Sequence, residues 1–437
     1  MPNELVEGIV SEFRAEVERY FRQVEEWKKK GAAGGLEGWE ERVRELVQPI
    51  QRKMVEGVVE AVGKGYEGPQ QRCRECGQWA RYVGDRPHRI RTLVGSLKEV
   101  RRAYYHGCGC GGGWFPQDRK LKLDAQGRSE GLRRVVSLMG AVSPYEKATD
   151  YLWEVGRIPV SRTTVERVTE EVGTEVEHWL KKREQEGGAG LRGLTQAGPA
   201  RVYVETDGTT ALTREGWKEV KLGVAFVEEE GGRRKTEYTA GFEGAEEFVV
   251  RLRGLAGGLG ALKAKEVVVL ADGAEWIWKR VPEVFKGPVV EIVDWFHAKE
   301  RLWEGAHLVF GEKSPQGQEW AQIQTDKLWR GEVEEVIEAL QALRPKSTEA
   351  KDFIRQSIGY YQENAHRMKY EELQRRGYLV GSGVIESGCK HVVGQRLKQA
   401  GMRWNQEHAQ KVLSLRVCRA SRLWDEYWSQ ASGRGAA

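Results

Sequence analysis

The chain has 437 residues, with 40% apolar side chains, 31% charged ones and a formal net charge of +5. That length exceeds one typical core and points to two to four domains of ordinary globular composition. No run of 18 or more apolar residues occurs, and "MPNELVEGIVSEF" carries acids where a secretory signal carries bases, so the expectation is a cytoplasmic chain with no membrane span.

Residues 1–66 predict a helical region. Leu5, Ile9, Phe13, Val17 and Phe21 recur at steps of four, an amphipathic stripe. "GAAGG" (31–35) breaks it, and a second helix follows with Pro49 as an expected kink or break. Residues 67–125 change character: "WARYVG", "HRIRTLVG" and "LKEVRRAYYH" are short β-prone runs separated by glycines, as in a small sheet. Four of the six cysteines lie here, as Cys73-x2-Cys76 and Cys108-x-Cys110. In a cytoplasmic chain that pattern points to metal rather than disulfides. A two-residue spacer lets two thiolates reach one ion, and glycines at 107, 109 and 111–113 give the tighter second pair its freedom. His88 or His106 is an alternative to one thiolate. The expectation is structural Zn²⁺ in a zinc-ribbon-like unit.

Residues 126–182 return to helix. "SPYEKATDYLWEVG", the link "RIPV" and "SRTTVERVTEEVG" read as helix-turn-helix-like, with Ser161 as N-cap and Arg162, Thr163 and Thr164 offered to a DNA groove or phosphates. A helical hairpin that binds nothing is the alternative. Residues 176–200, charged and then glycine-rich, read as a helix end and a linker. Residues 200–297 carry the order βββαβαβ, that of a ribonuclease-H-like core. Residues 298–380 read as all-helical, with Trp303, Trp320 and Trp329 as core side chains or, less simply, base-stacking ones. Residues 381–430 are helical again, with Cys389 and Cys418 as buried small residues and "SGRGAA" as a frayed tail.

Charge is uneven. Segment 69–123 has twelve Lys and Arg against four Asp and Glu, and segment 387–437 has nine against three. Two basic patches suggest a polyanion, most simply nucleic acid; solvated faces are the plainer reading. Arg72, Arg74, Arg81, Arg86, Arg89, Arg91, Arg101 and Arg102 in the first patch, and Arg396, Lys398 and Arg403 in the second, are the expected phosphate contacts.

Two acids sit where sites gather in α/β sheets. Asp207 follows "VYVET" and Asp272 ends "VVVLA", each followed by glycine. Both could be Asp-Gly turns. At the ends of neighbouring strands they could instead help hold two Mg²⁺ or Mn²⁺ ions about 4 Å apart, the chemistry of phosphodiester cleavage and transfer.

"ETDGTT", "VLADGAEWIW", "VDWFHAKE" and "GSGVIESGCKHVVGQRLKQAGMRW" together resemble bacterial DDE transposases of the ISKra insertion-sequence type and, more distantly, Mutator-like transposases, over roughly residues 67–430. The resemblance implies a ribonuclease-H-like catalytic core interrupted by a helical insertion. It implies Asp207, Asp272 and Glu386 as the metal-holding catalytic acids, with Asp294 and His297 as auxiliary residues at the rim or, equally, as a structural Asp–His hydrogen bond. Asp294 is the competing second aspartate. The expected protein is an α/β multidomain DNA transposase: a helical N-terminus, a zinc-ribbon-like β unit, a helix-turn-helix, and the ribonuclease-H-like core with its all-helical insertion. Its expected partners are double-stranded DNA, both terminal repeats and target, and at least a second copy of itself. Two alternatives stay open: a domesticated or inactive DNA-binding protein, and a ribonuclease-H-like nuclease without strand transfer.

Overall fold

The computed structural model describes residues 2–29, 35–190, 198–229, 233–285 and 287–434. It is a mixed α/β chain with two sheets. It divides into two compact units, Met1–Thr169 with Asp425–Ala437, and Glu170–Trp424. None of the described helices is long and apolar enough to cross a membrane.

In the first unit, α1 (Pro2–Lys29) and α2 (Gly35–Val62) form the N-terminal helices; the "GAAGG" break lies almost wholly outside the described residues. Pro49 does not end α2, which runs through it. Phe13 and Phe21 of the α1 stripe are exposed, whereas Val59 of α2 packs with Ile90 and Leu97. Those two belong to an antiparallel sheet of β1 (Gln70–Arg72), β2 (Trp79–Thr92), β3 (Gly95–His106) and β4 (Gly113–Trp114). The first two expected strands are one. Gly84, at φ +135°, sits in a bulge inside β2 rather than between strands. The helices α3 (Pro116–Lys120), α4 (Glu130–Val142) and α5 (Tyr145–Gly156) follow.

α6 (Arg162–Gly188) begins as expected, with Ser161 Oγ accepting Thr164 N–H at 3.2 Å. It then runs well past the expected end. Two of its glycines are contact points: a Cβ on Gly187, within the expected helix end and linker, would lie 2.2 Å from Gly254 O, and one on Gly173 2.7 Å from Lys411 O. They let neighbouring backbones approach closely, and the helix continues. The glycine-rich remainder, 191–197, lies outside the described residues.

The second unit is built on β5 (Arg201–Thr213), β6 (Gly216–Glu228), β7 (Arg234–Gly241), α7 (Ala245–Gly258), β8 (Glu266–Ala271), α8 (Glu275–Val284) and β9 (Val289–Val293). The sheet order is β7-β6-β5-β8-β9. β5, β6 and β7 are antiparallel, while β8 and β9 run parallel to β5. Helices occupy 295–375: α9 (Trp295–Phe310), α10 (Pro315–Arg330), α11 (Val333–Ala342), α12 (Thr348–Asn364) and α13 (Tyr370–Arg375). Trp303 donates to Thr325 Oγ1 at 3.2 Å, and Trp329 packs edge-on against Trp295, so these tryptophans hold the helices together. The chain closes with α14 (Gly383–Gly388), a π-helical turn (Cys389–Gly394), α15 (Gln395–Leu397), α16 (Gln406–Ala420) and α17 (Trp424–Arg434), the last taking in half of the expected frayed tail, whose other half, 435–437, lies outside the described residues.

One buried ion network knits α6, α7 and β7. Arg251 Nε donates to Glu184 Oε2 at 2.8 Å, its Nη1 donates to Glu243 and to Ala240 O, and Thr239 Oγ1 donates to Glu184 at 2.6 Å. Burial opposes the Arg251 charge, but the two glutamates more than offset it and hold the guanidinium protonated. Removing the cation leaves buried carboxylates without it. Arg251→Met is therefore expected to lower the unfolding free energy by about 3–5 kcal/mol in urea titration. Loss of an exposed pair such as Lys279–Glu275 is expected to change it little.

Candidate functional site

The cysteine cluster is assembled by two turns at one end of the first sheet. Cys73 leaves β1, with Gly77 N–H returning to Cys73 O at 2.9 Å and Cys73 N–H donating to Gln78 O at 2.8 Å. Cys108 leaves β3, with Gly111 N–H returning to Cys108 O at 3.0 Å. Gly77, Gly107 and Gly111 have φ of +71°, +93° and +70°, which is what permits the tight Cys-x-Cys turn. The ligand atoms of Cys73, Cys76, Cys108 and Cys110 all lie within 4.8 Å of one another. Cys73 and Cys108 are buried; Cys76 and Cys110 lie at the surface. Backbone N–H donors of Gln78 and Cys110 pull the Cys76 thiol down to about 6, while hydrogen bonding to Cys110 and burial push Cys108 up to about 12. A first thiolate is favoured and further ones are opposed, the electrostatic pattern of a cluster that a cation would complete. Four thiols suffice; His106 instead stacks on Tyr104. Metal analysis of the purified chain is expected to find one ion per chain, lost in Cys108→Ser.

The acids lie on the second unit's sheet. β5 pairs with β8 from Arg201↔Glu266 to Thr206↔Ala271. One residue further stand Asp207, midway along β5 where its pairing with β8 stops, and Asp272, just past the carboxyl end of β8. Both are half-buried. Asp207 Oδ1 accepts Gly208 N–H at 2.7 Å and Asp272 Oδ1 accepts Ala274 N–H at 3.0 Å, so each makes the local backbone bond that an Asp-Gly pair allows. Burial pushes the Asp207 carboxyl up, the Cys389 thiol and Gly208 N–H pull it down, and Asp272 pushes it up again. Gly273, at φ +92°, is required: a Cβ there would lie 2.6 Å from the Tyr360 ring, and Tyr360 Oη donates to Asp272 O at 3.2 Å.

Glu386 is exposed in the first turn of α14. Ser382 occupies the cap position but does not cap with its side chain; its hydroxyl donates to Glu386 Oε1 at 2.9 Å. Asp207, Asp272 and Glu386 do not converge as the thiols do. The cysteine quartet is the group of three or more potential ligands found gathered among the described residues.

Asp294, the competing second aspartate, does not lie at the rim. It is fully buried and caps α9: its Oδ2 takes His297 N–H at 2.9 Å and His297 Nδ1 at 2.6 Å, and its Oδ1 takes Ser382 N–H at 2.7 Å. Burial opposes its ionisation, but those hydrogen bonds more than offset it and hold the carboxyl below the usual range. The same bond lifts His297 to about 9, helped by Asp207 and Asp272, so an imidazolium faces the two aspartates.

Two residues of this site escaped the sequence reading. Glu205 is fully buried on β5; its Oε2 accepts Ile385 N–H at 2.9 Å, and burial, with Asp294 and Glu386 nearby, pushes it up to about 8. A lone acid inside the apolar run "RVYVET" was the available signal. Cys389 is half-buried rather than inert packing, and its thiol donates to Asp207 Oδ2 at 3.4 Å.

Among the expected phosphate contacts, Arg162 and Thr163 are exposed and Thr164 half-buried at the start of α6, and Lys398 and Arg403 are exposed. Arg396 is withdrawn: it is 1% exposed, with its guanidinium over the Trp404 ring and bonded to Met402 Sδ. Arg102 is likewise buried, against Phe115 and Asp118. No protein-family model matches the chain, and no curated protein is found similar to it.

In a pH titration of His297 by NMR the midpoint is expected near 9, falling towards about 6.5 in Asp294→Asn. Because the folded value is raised, the stability this pair adds is complete below about pH 6.5 and is lost as pH rises through about 9.

Proposed function

We propose that the chain is a DDE transposase whose second unit is a ribonuclease-H-like catalytic domain. The observation that carries this reading is the β5–β8 register, which places Asp207, midway along β5, beside Asp272 at the carboxyl end of the parallel strand β8. The strand order, the helices at 295–375 and the placement of Glu386 just beyond them support it, as does the likeness of the quoted sequence runs to transposases.

Asp207, Asp272 and Glu386 offer the hard carboxylate oxygens that Mg²⁺ or Mn²⁺ prefers. A bound ion pair would activate a water or 3′-hydroxyl and stabilise the leaving 3′-oxygen. Glu386 must first leave Ser382, and Asp294 keeps the His297 ring and the start of α14 in place. Without an ion, the His297 imidazolium balances the aspartates. Lys398, which donates to Thr209 Oγ1 two residues beyond Asp207, and Arg403 are the cations for DNA phosphates near the acids. In the first unit the thiol quartet takes structural Zn²⁺. Tetrahedral Zn–S bonds of about 2.3 Å separate sulfurs by about 3.8 Å, and Cys73 and Cys110 are 3.8 Å apart. The exposed arginines of the β unit and the start of α6 then offer phosphate contacts.

The unconverged acids favour one second reading, a DNA-binding protein that has lost cleavage. A single assay separates them: labelled duplexes from the DNA flanking the coding region, a supercoiled target plasmid, and Mg²⁺ or Mn²⁺. Nicked and joined products are expected, reduced about 10²–10³-fold or more by Asp207→Ala, Asp272→Ala or Glu386→Ala with DNA affinity retained. Nicking without joining would indicate a nuclease, and binding without cleavage in either metal would favour the second reading.

A further inference from the structure

Two contacts join β5 to the helix that carries Glu386. Glu205 Oε2 accepts Ile385 N–H at 2.9 Å, and Asp207 Oδ2 accepts the Cys389 thiol at 3.4 Å. Glu205 and Asp207 are two residues apart on a strand, so they share a face and are separated by about 6.7 Å. Ile385 lies in α14 and Cys389 opens the π-helical turn that continues it four residues on, a rise of about 6 Å at most. The two spacings match. One tether alone is a pivot about which the helix can slide and turn; two in step fix its position along the strand.

The chemistry of the helix start explains why a carboxyl serves here. The first N–H groups of a helix have no partner within it. Ser382 does not cap α14 with its side chain, since its hydroxyl is committed to Glu386. Asp294 takes the Ser382 N–H and Glu205 takes the Ile385 N–H, so acids on the sheet side do the capping. Glu205 is fully buried, and its Oε1 has no hydrogen-bond partner. A residue present only to fill space there would be apolar, as Val202 and Val204 on the same strand are.

We propose that Glu205 is a positioning residue: by accepting the Ile385 N–H it sets the register of the Glu386 helix against Asp207 and Asp272. The role bears on catalysis only under the reading of those three acids given above; the register itself does not depend on that reading.

Hydrogen–deuterium exchange of the full chain, alongside metal-dependent nicking and DNA affinity, tests this. In Glu205→Ala, exchange across 382–390 is expected to rise about tenfold while β8 stays protected. Nicking turnover falls about 10²-fold with DNA affinity unchanged, as for a misplaced catalytic group. Glu205→Gln keeps an acceptor for the Ile385 N–H and restores both. If Glu205→Ala does not fold, Glu205→Met, which keeps the volume without the acceptor, replaces it. Unchanged exchange across 382–390 overturns the proposal, and so does a Glu205→Gln variant as impaired as Glu205→Ala. If exchange responds as expected but wild type nicks nothing, the register role stands and the transposase reading fails.

Discussion

The parallel pairing of β5 with β8 in one unbroken register is the constraint on which the second unit's site depends. A one-residue slip would move Asp272 out of step with Asp207 and turn it to the other face. The hydrophobic pattern cannot prevent that slip, because Val267 to Ala271 are all buried and show no alternation. The register is instead pinned at its ends. At the start, Arg201 Nε meets Glu266 Oε2 at 3.1 Å and Tyr378 Oη donates to the same oxygen at 2.9 Å. At the finish, Asp294 N–H donates to Ala271 O at 2.8 Å, so the residue that holds His297 also anchors the end of β8.

Buried acids around this sheet fall into two kinds. Asp294 is surrounded by donors from His297 and Ser382 and stays ionised. Glu205 has one backbone donor and acidic neighbours, so burial wins and its proton is held to about 8. Both face inward and serve the framework. Asp207 and Asp272 keep part of their surface open, which is what an acid needs if it is to exchange water for a ligand. Burial therefore separates the acids that shape the site from those that can act in it.

What the sequence made legible was local. Strand runs, the order βββαβαβ and the two cysteine pairs are each written within a few residues, and the structure has all of them. The errors came where a local signal was overridden at long range. Gly187 looks like a breaker, but the neighbouring backbone that approaches it keeps α6 going. Arg396 looks like a phosphate ligand within its basic run, but Trp404, brought round by the following turn, covers it. Asp294 resembles Asp272 in position, and only its partners 3 and 88 residues away mark it as framework. Glu205 and Cys389 acquire a role solely through contacts about 180 residues apart along the chain.

The same distinction separates the two prospective metal sites. Each cysteine pair is preset by its own turn, and the four sulfur atoms gather without an ion. Carboxylates at neutral pH repel, and those of Asp207, Asp272 and Glu386 come from the middle of one strand, the end of another and a helix. Their approach must be driven by a cation or by the scaffold. His297 provides a charge for the two aspartates, while the contacts between β5 and the Glu386 helix provide the scaffold. A site of this kind rests with its acids apart. Under the transposase reading, a divalent ion would have to oppose the imidazolium's field and draw Glu386 from Ser382, so Asp294 and Ser382, by how firmly they hold those two side chains, would set how readily the acids gather.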